Sequence, residues 1–253
     1  YTKFHSTVLF SASLRPPEYF QSRLGLPVGI QNHVLPSPFE RSQLGVFVCS
    51  HIDTRYQYRD RSVSDIVDII FATYRARSGN YLVFFPSYRF MNQVAEAFLE
   101  RHHDIEIIQQ ASASSDEQRA EFLQAFEGAK NTLGFAIMGG IFGEGVDYVG
   151  DKLIGAIVVG VGLPQINEEQ DLIKASSEAA GHNGFDYAYR YPGLIRVLQA
   201  AGRVIRTEQD RGVLVLVDRR FSQAFYQGLW PSHWQAQTVR DVQRLREGFD
   251  NFW

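Results

Sequence analysis

The feature that most constrains the fold is an alternation of short, wholly apolar segments with longer amphipathic ones. Residues 81–85 form the clearest apolar segment, and a Pro-Ser-Tyr turn separates them from residues 89–101, whose Val94, Ala97 and Phe98 share one helical face. Strands that are apolar along their whole length are typical of parallel sheets covered by helices on both faces. The sequence therefore predicts an α/β fold, with a parallel sheet and helices on both of its faces.

The same alternation recurs along the whole chain. Strands are predicted at residues 7–11, 44–49, 81–85, 105–108, 132–138, 154–161 and 212–217. Helices are predicted at residues 18–24 and 89–101, after a capping residue at Ser62 or Ser64, and after a capping box that runs from Ser115 to Gln118. Residues 165–198 are predicted as a mainly helical insertion with a turn at 181–184, so we expect one domain, 1–253, that carries this insertion.

Composition limits the partners and the setting. The chain has 253 residues, a formal net charge of −3 and a single cysteine, Cys49. This charge gives no overall nucleic-acid signature, so any DNA contact must come from local patches. One cysteine excludes an internal disulfide and an all-cysteine metal site. With no membrane span and no signal peptide in the sequence, we expect a cytoplasmic protein without a membrane partner. The start, almost directly at the strand predicted for residues 7–11, indicates part of a longer protein.

Several predicted strands are followed by small and polar residues at their carboxyl ends. In open parallel sheets, ligands bind beyond those ends. The segments that this rule brings to one surface are Ser11-Ala12-Ser13, Pro86-Ser87-Tyr88, residues 139–147, and a helix that includes residues 199–206. We therefore expect a single functional surface at the carboxyl edge of the sheet.

The segment 139–147 holds four glycines within seven residues. Glycines let backbone amides approach a partner closely, as in phosphate-binding loops. The spacing does not fit a dinucleotide fingerprint, and no helix is predicted directly after the glycines. A merely flexible loop is the alternative. Against it, Glu144 and Asp147 are carboxylates that lie beside these backbone donors in the sequence.

The segment 199–206 combines a glutamine, a glycine and two arginines after a predicted helix. Helical spacing places Gln199, Arg203 and Arg206 along one face. Gly202 removes a side chain where a bulky partner must approach closely. Guanidinium groups without a carboxylate in the same turn are typical ligands of phosphate, so this segment predicts a phosphate-binding site.

The alternative for these arginines is a surface helix in which they pair with Glu208 and Asp210. The context favours phosphate, although the chain lacks the motifs that usually bind the nucleotide and its metal ion. It has no G-x-x-x-x-G-K-[ST] loop and no acidic metal-binding box after an apolar strand, so it cannot hold a nucleotide–Mg²⁺ centre by itself. The sequence thus predicts the part of a phosphoryl-transfer site that contacts the phosphates, without the loop that binds the nucleotide.

Taken in chain order, these segments resemble the motifs of the second RecA-like lobe of DinG/XPD-type iron–sulfur DNA helicases of superfamily two. The matches are Ser11-Ala12-Ser13-Leu14 with motif III, residues 81–88 with motif IV, residues 142–147 with motif V, and residues 199–206 with motif VI, which residues 210–212 and 218–221 continue. They extend from about residue 7 to residue 221. Motif III departs from the family pattern, which often has a threonine where this chain has serines.

The resemblance implies ATP and Mg²⁺, held mainly by an N-terminal lobe that also carries the iron–sulfur cluster. Arg206 would be the arginine finger on the γ-phosphate, Arg203 would bind the same phosphates, and Gln199 would orient the γ-phosphate or the attacking water. The further nucleotide-binding positions it implies are Glu144, Gly145, Asp147 and Gly202. The chain alone would then not hydrolyse ATP.

The resemblance also implies single-stranded DNA or a duplex junction as the substrate, movement from 5′ to 3′, and a monomer that acts in DNA repair. The implied contacts to the strand are Ser87, Tyr88, Gly139 and Gly140. The motif III residues that would couple nucleotide to strand are Ser11, Ala12 and Ser13.

Two other hypotheses remain open from the sequence. A degenerate helicase lobe without catalysis would hold single-stranded DNA or a protein partner. A metabolic enzyme with a Rossmann sheet would bind a dinucleotide by itself, without a second lobe.

Overall fold

The computed structural model describes residues 3–27, 29–128, 130–144, 148 and 150–253, and for Ile141 and Glu144 it describes the backbone alone. Within these residues the strands form one seven-stranded sheet in the order β3-β4-β2-β5-β6-β1-β7, and every neighbouring pair is parallel. The strands are β1 (Leu44–Cys49), β2 (Tyr81–Phe85), β3 (Ile107–Gln109), β4 (Leu133–Ile137), β5 (Gly155–Val159), β6 (Gly212–Val217) and β7 (Ala236–Val239). The predicted parallel sheet is confirmed.

Helices cover both faces of this sheet. They are α1 (Pro17–Arg23), α2 (Arg59–Ala76), α3 (Tyr88–Arg101), α4 (Asp116–Gln124), α5 (Ile141–Glu144), α6 (Glu168–Ala179), α7 (Tyr191–Ala201), α8 (Ala224–Gln227) and α9 (Val242–Phe252). Alternate strand residues point to opposite faces, so Val83 and Phe85 of β2 pack with α2, α3 and α9, whereas Leu82 and Phe84 pack with α4, α5 and α7. Both faces of the sheet are buried under helices, which explains why the central strands are apolar throughout. None of the helices in the described residues is long and apolar enough to cross a membrane.

The strand predicted at residues 7–11 is wrong. This segment forms no strand, and the side chains of Val8 and Phe10 are 80% and 89% exposed. The apolar run from Val8 to Phe10 is compatible with a strand, but a strand also needs a partner, and in the described part of the chain none pairs with it.

Other parts of the secondary structure also differ from the sequence prediction. Helix α2 begins at Arg59, before either predicted cap. Ser62 lies inside the helix, and its hydroxyl donates a hydrogen bond to the carbonyl of Tyr58, the N-cap residue. Strand β7 and helix α9 were not predicted at all. β7 is an edge strand, and because Gln237 and Thr238 are exposed it lacks the continuous apolar run of the central strands.

The predicted helical insertion contains α6, the turn at 181–184 and a short π-helix, Asp186–Arg190, that leads into α7. The ring centroid of Tyr19 in α1 lies 5.4 Å from that of Tyr187 and 5.2 Å from that of Tyr191. These aromatic residues therefore pack against each other and hold α1 against the insertion.

Candidate functional site

The predicted site residues lie at two opposite edges of the sheet, so the prediction of one common surface is wrong. Ser87 and Gly139 follow the carboxyl ends of β2 and β4. Helix α7 begins near the carboxyl end of β5, where a Cβ on Gly193 would lie 2.6 Å from the carbonyl oxygen of Val161. A helix between two parallel strands returns the chain to the start of the next strand. The segment after α7 therefore lies at the amino edge, and Val204 contacts Gly212, the first residue of β6.

At the carboxyl edge, Ser87 caps helix α3, since its hydroxyl oxygen accepts a hydrogen bond from the backbone nitrogen of Phe90 at 3.4 Å. The next residue, Tyr88, is half-buried; its hydroxyl accepts a hydrogen bond from Nε2 of Gln110 at 3.0 Å and donates one to the carbonyl of Ala111 at 3.3 Å. Burial raises the pKa of Tyr88. The hydroxyl is thus held by protein groups, while part of the ring surface remains accessible.

Gln110 is a site residue that the sequence analysis missed. Besides its contact with Tyr88, its Oε1 accepts a hydrogen bond from the backbone nitrogen of Ile137 at 2.8 Å. It therefore joins the ends of β3 and β4 to the start of α3. The signal available in the sequence was a pair of glutamines, Gln109 and Gln110, directly after the apolar pair Ile107 and Ile108.

Gly139 and Gly140 are both needed for the turn that follows β4. Gly139 has φ +76°, and a Cβ there would lie 2.9 Å from Nε of Arg196. A Cβ on Gly140 would lie 3.1 Å from the carbonyl oxygen of Ile137 and 3.4 Å from Nε2 of Gln110. The two glycines keep the backbone of this turn free of side chains at the carboxyl edge.

A short helix, α5, begins directly after these glycines, so the expectation that no helix follows them is wrong. Gly143 lies in α5, where its missing side chain leaves room for the ring of Phe84. The predicted positions Gly145 and Asp147 lie outside the described residues, as does the side chain of Glu144.

At the amino edge, the predicted helix through residue 206 is wrong, because α7 ends at Ala201 with Gly202 as its C-cap. Gln199 lies in the last turn of α7, whereas Arg203 and Arg206 lie in the connection to β6. A Cβ on Gly202 would meet only ordinary contacts, at 3.4 Å and beyond. Gly202 is exposed, so nothing in the described residues approaches it as closely as the sequence led us to expect.

Arg203 connects the two predicted motifs. Its Nε donates a hydrogen bond to the carbonyl of Gly143 at 2.9 Å. Next to it, burial raises the pKa of Tyr148, an effect that the positive charge of Arg203 opposes. The guanidinium of Arg203 is therefore anchored on the backbone of α5.

Arg206 has an exposed side chain on a firmly held turn. The buried carboxylate of Asp210 accepts hydrogen bonds from the backbone nitrogens of Arg206, at 2.7 Å, and Thr207, at 2.8 Å, and from the hydroxyl of Thr207. Gln43 adds hydrogen bonds to the carbonyls of Thr207 and Asp210. Asp210 thus orders the backbone that carries Arg206.

Ser11, Ala12 and Ser13 lie in a turn outside the sheet and not at a strand end as predicted. The backbone nitrogen and the hydroxyl of Ser13 both lie 3.3 Å from the hydroxyl oxygen of Ser11. Ser11 and Ala12 are exposed, and Ser13 is half-buried.

The described residues contain no group of three histidine, cysteine, aspartate or glutamate side chains that could hold a metal ion. Cys49 is fully buried in β1, and burial raises the pKa of its thiol. A buried thiol of this kind does not fit an iron–sulfur cluster, whose ligands are thiolates.

Comparisons with known proteins were made on both sequence and structure. Residues 70–237 match the family of helicase C-terminal domains. The chain is 29% identical over 234 residues to the ATP-dependent DNA helicase YoaA of Escherichia coli K12, covering 89% of the chain and 34% of YoaA. It is 26% identical over 246 residues to the regulator of telomere elongation helicase 1 homolog of Drosophila mojavensis, covering 88% of the chain and 24% of that protein. The chain thus spans about a third or less of these two relatives.

Solved structures share the fold. An XPD helicase structure superposes with a TM-score of 0.66 at 20% identity, over 90% of the chain and 42% of that structure. Dbp5 of S. cerevisiae, bound to RNA and ADP BeF3, superposes with a TM-score of 0.54 at 11% identity, over 97% of the chain and 54% of that structure. The sheet and its helices therefore have the RecA-like arrangement of a helicase lobe.

Proposed function

Because the chain belongs to the family of helicase C-terminal domains, as the second RecA-like lobe of a DinG/XPD-type superfamily-two helicase, we propose that it is a motor lobe of an ATP-dependent DNA helicase. In this proposal ATP and Mg²⁺ are bound mainly by an N-terminal lobe of the same protein, which also carries the iron–sulfur cluster. The lobe described here supplies cations to the nucleotide and backbone contacts to single-stranded DNA.

The observation that carries the proposal is the hydrogen bond from Arg203 to the carbonyl of Gly143. Gly143 is three residues from Gly140, at the carboxyl edge, and Arg203 is three residues from Arg206, at the amino edge. The two groups of site residues lie at opposite edges of the sheet, and this contact joins the segments that carry them. In this proposal a displacement of Arg203 reaches the glycine turn through its hydrogen bond to Gly143 and the short helix α5.

At the nucleotide, Arg206 acts as the arginine finger, Arg203 binds the same phosphates, and Gln199 orients the γ-phosphate or the attacking water. Glu144, Gly145, Asp147 and Gly202 complete the contact. A guanidinium is suited to this task because its planar fork of donors matches phosphate oxygens. The lobes close when ATP is bound, since only the closed state brings Arg206 to the γ-phosphate, and they open after hydrolysis.

At the strand, the proposed contacts are Ser87, Tyr88, Gly139 and Gly140. A turn without side chains, next to a capped helix start, offers backbone N–H groups to phosphate oxygens and needs no net positive charge. The accessible part of the Tyr88 ring can stack on a base. Ser11, Ala12 and Ser13 couple the two lobes, and the movement is from 5′ to 3′.

The proposal predicts that Arg206→Ala abolishes ATP hydrolysis stimulated by single-stranded DNA in the full-length protein that carries this chain. The expected loss of turnover is about 10³-fold or more, because the finger stabilises charge that develops in the transition state. Steady-state ATPase assays with and without a single-stranded oligonucleotide measure it. Arg206→Lys keeps the positive charge but lacks the planar donors of the guanidinium, so this variant should retain only a small part of the wild-type turnover.

The matched control is Arg244→Ala. Arg244 is an exposed arginine of α9 whose partner is Glu247 in the same helix, and its replacement should leave turnover unchanged. Turnover of Arg206→Ala at the wild-type rate would overturn the assignment of the finger. The absence of any DNA-stimulated hydrolysis in the wild-type protein would favour a non-catalytic binding lobe.

A further inference from the structure

Arginines from the loop after β1, from the first turns of α2 and α3 and from the segment after β6 form a cluster that the proposed function does not use. In the part of the chain that the structure describes, two aspartates, Asp53 and Asp218, form ion pairs with members of this cluster. The arginines of the cluster are Arg55, Arg59, Arg89, Arg219 and Arg220. The cluster therefore has a surplus of positive charge within a chain whose net charge is −3.

A buried network fixes the base of this arginine cluster. Asp218 is fully buried, and both of its oxygens accept hydrogen bonds from Arg220, from Nε at 2.8 Å and from Nη2 at 2.8 Å. The hydroxyl of Thr54 also donates to Asp218, and it accepts a hydrogen bond from Nη2 of Arg220. Asp218 is thus paired with Arg220, whereas Asp53 is paired with Arg55 and Arg219.

Arg59 is a member of the arginine cluster for which the described residues provide no acidic partner. Its Nε donates to the carbonyl of Thr54 at 3.1 Å, and its guanidinium lies 5.2 Å from the ring centroid of Phe90 and 5.8 Å from that of Tyr56. Its two Nη groups donate no hydrogen bond within the described ranges. Burial and the charges of Arg220 and Arg89 lower the pKa of Arg59. The guanidinium is oriented by one carbonyl and two rings, and its remaining donors fit an anion.

The arginine cluster adjoins the proposed strand contacts. Gly160, directly after β5, has φ +84°, and a Cβ there would lie 3.0 Å from Oγ1 of Thr54 and 3.9 Å from Cγ of Pro86. The loop after β1 therefore lies beside the turn that holds Ser87. Tyr56, whose ring flanks Arg59, is 76% exposed. An exposed aromatic ring beside an unpaired guanidinium is the combination that single-stranded nucleic acids require, with a base on the ring and a phosphate on the cation.

We propose that Arg59 binds a backbone phosphate of single-stranded DNA, and that Tyr56 stacks on the adjoining base. This inference rests on the proposed function for its substrate, and it extends the strand path from the ends of β2 and β4 to the ends of β6 and β1. The phosphate of a strand is favoured over a free phosphate because Tyr56 and the Ser87 turn flank the same guanidinium.

The test is binding of a fluorescein-labelled oligo-dT of roughly 16 nucleotides to the full chain, measured by anisotropy over a series of salt concentrations. For Arg59→Gln we expect an affinity about ten-fold lower and a slope of log K against log salt that is smaller by about 0.7, the value for one lost phosphate contact. For Tyr56→Ala we expect an affinity about five-fold lower or more, with the slope unchanged. The matched control is Arg61→Gln, an exposed arginine two residues further along α2, which should change neither quantity.

The outcomes separate this inference from the proposed function. If the wild-type chain binds oligo-dT and Arg59→Gln keeps both affinity and slope, the phosphate site at Arg59 is overturned and the strand contacts at Ser87 and Gly139 stand. If the wild-type chain does not bind oligo-dT, the strand substrate fails and this inference fails with it. Binding of pyrophosphate at matched ionic strength that depends on Arg59, without an effect on oligo-dT, would identify a free-phosphate site and would equally overturn it.

Circular dichroism of each variant checks that it is folded. If Arg59→Gln does not fold, Arg59→Lys decides the matter. Lysine retains the positive charge but lacks the planar donors of the guanidinium. We therefore expect an unchanged slope of log K against log salt and an affinity about three-fold lower. An unchanged affinity of Arg59→Lys would contradict a guanidinium that binds phosphate.

Discussion

At the scale of single residues, one amide side chain organises the carboxyl edge. Gln110 accepts a hydrogen bond from the backbone of Ile137 and donates one to the hydroxyl of Tyr88. Its amide therefore positions both the tyrosine and the turn at Gly139 and Gly140. A glutamine in a sequence gives no sign of which backbone it will meet, because its partners come from segments 22 and 27 residues away.

We predict that Gln110→Leu lowers the free energy of unfolding by about 1–3 kcal/mol, because the backbone N–H of Ile137 loses its acceptor in a half-buried position. Urea unfolding followed by circular dichroism measures the change. Gln109→Leu, at the exposed neighbouring position, is the control and should cost much less. Equal losses for the two variants would show that the hydrogen bonds of Gln110 contribute little.

At the scale of elements, helix α7 determines where the arginines lie. Its amino end is pressed against the chain that leaves β5, since a Cβ on Gly193 would lie within 3.1 Å of three backbone atoms of residues 161–163. At its carboxyl end, the C-cap residue Gly202 is exposed to solvent. The amphipathic pattern of α7 was readable from the sequence, but its last residue was not, because Arg203 and Arg206 keep helical spacing beyond the end of the helix.

We predict that Gly193→Ala lowers the free energy of unfolding by about 1–3 kcal/mol, because its Cβ would meet backbone atoms that cannot move aside. Thermal unfolding monitored by circular dichroism measures it. Gly202→Ala in the same helix is the control: its φ is −66°, its Cβ meets nothing closer than 3.4 Å, and its stability should stay close to wild type. If the nucleotide approaches Gly202 as proposed, that same variant should instead raise the KM for ATP in the full-length protein.

At the scale of the whole molecule, we expect two histidines to make the free energy of unfolding depend on pH. Burial lowers the pKa of His102, which stacks on Phe71 with ring centroids 3.9 Å apart, and that of His233, which faces Arg15 and Arg41. A histidine whose pKa is lowered by folding takes up its proton more readily in the unfolded chain. Its contribution is thus complete above the unfolded pKa of 6.5 and is lost as the pH falls below it.

We therefore predict that the free energy of unfolding falls between about pH 7.5 and about pH 5.5, and that His102→Phe, which keeps the stacking, reduces this fall. Urea unfolding at the two pH values measures it, with the exposed neighbour His103→Phe as the control. The carboxylates with lowered pKa, Asp53 and Glu117, lose their contribution only below 3.8 and 4.5, outside this window. A fall of the same size in His102→Phe and the wild type would contradict the assignment.

The sequence was most informative where burial is complete and least informative where position depends on the rest of the fold. β1, β2 and β6 have the predicted bounds, because strands covered on both faces are apolar from end to end. Residues 7–11 have a similar pattern but lie exposed, since a pattern cannot show whether a partner strand exists. The glycine turn and the arginines were recognised as segments, but their placement at opposite edges follows from the return path of α7.

The position of β1 within the sheet has a consequence for biosynthesis. Its two neighbours are β6 and β7, so Leu44 pairs with Gly212 and Val46 pairs with Ala236. A ribosome makes the chain from its amino end, so β6 and β7 are synthesised more than 150 residues after β1. The backbone groups of β1 therefore have no hydrogen-bond partners until those strands are made. Until then, β1 is an apolar segment with both strand edges unpaired, which is the kind of exposed segment that chaperones bind in nascent chains. Assembly of this half of the sheet therefore awaits the arrival of the last two strands.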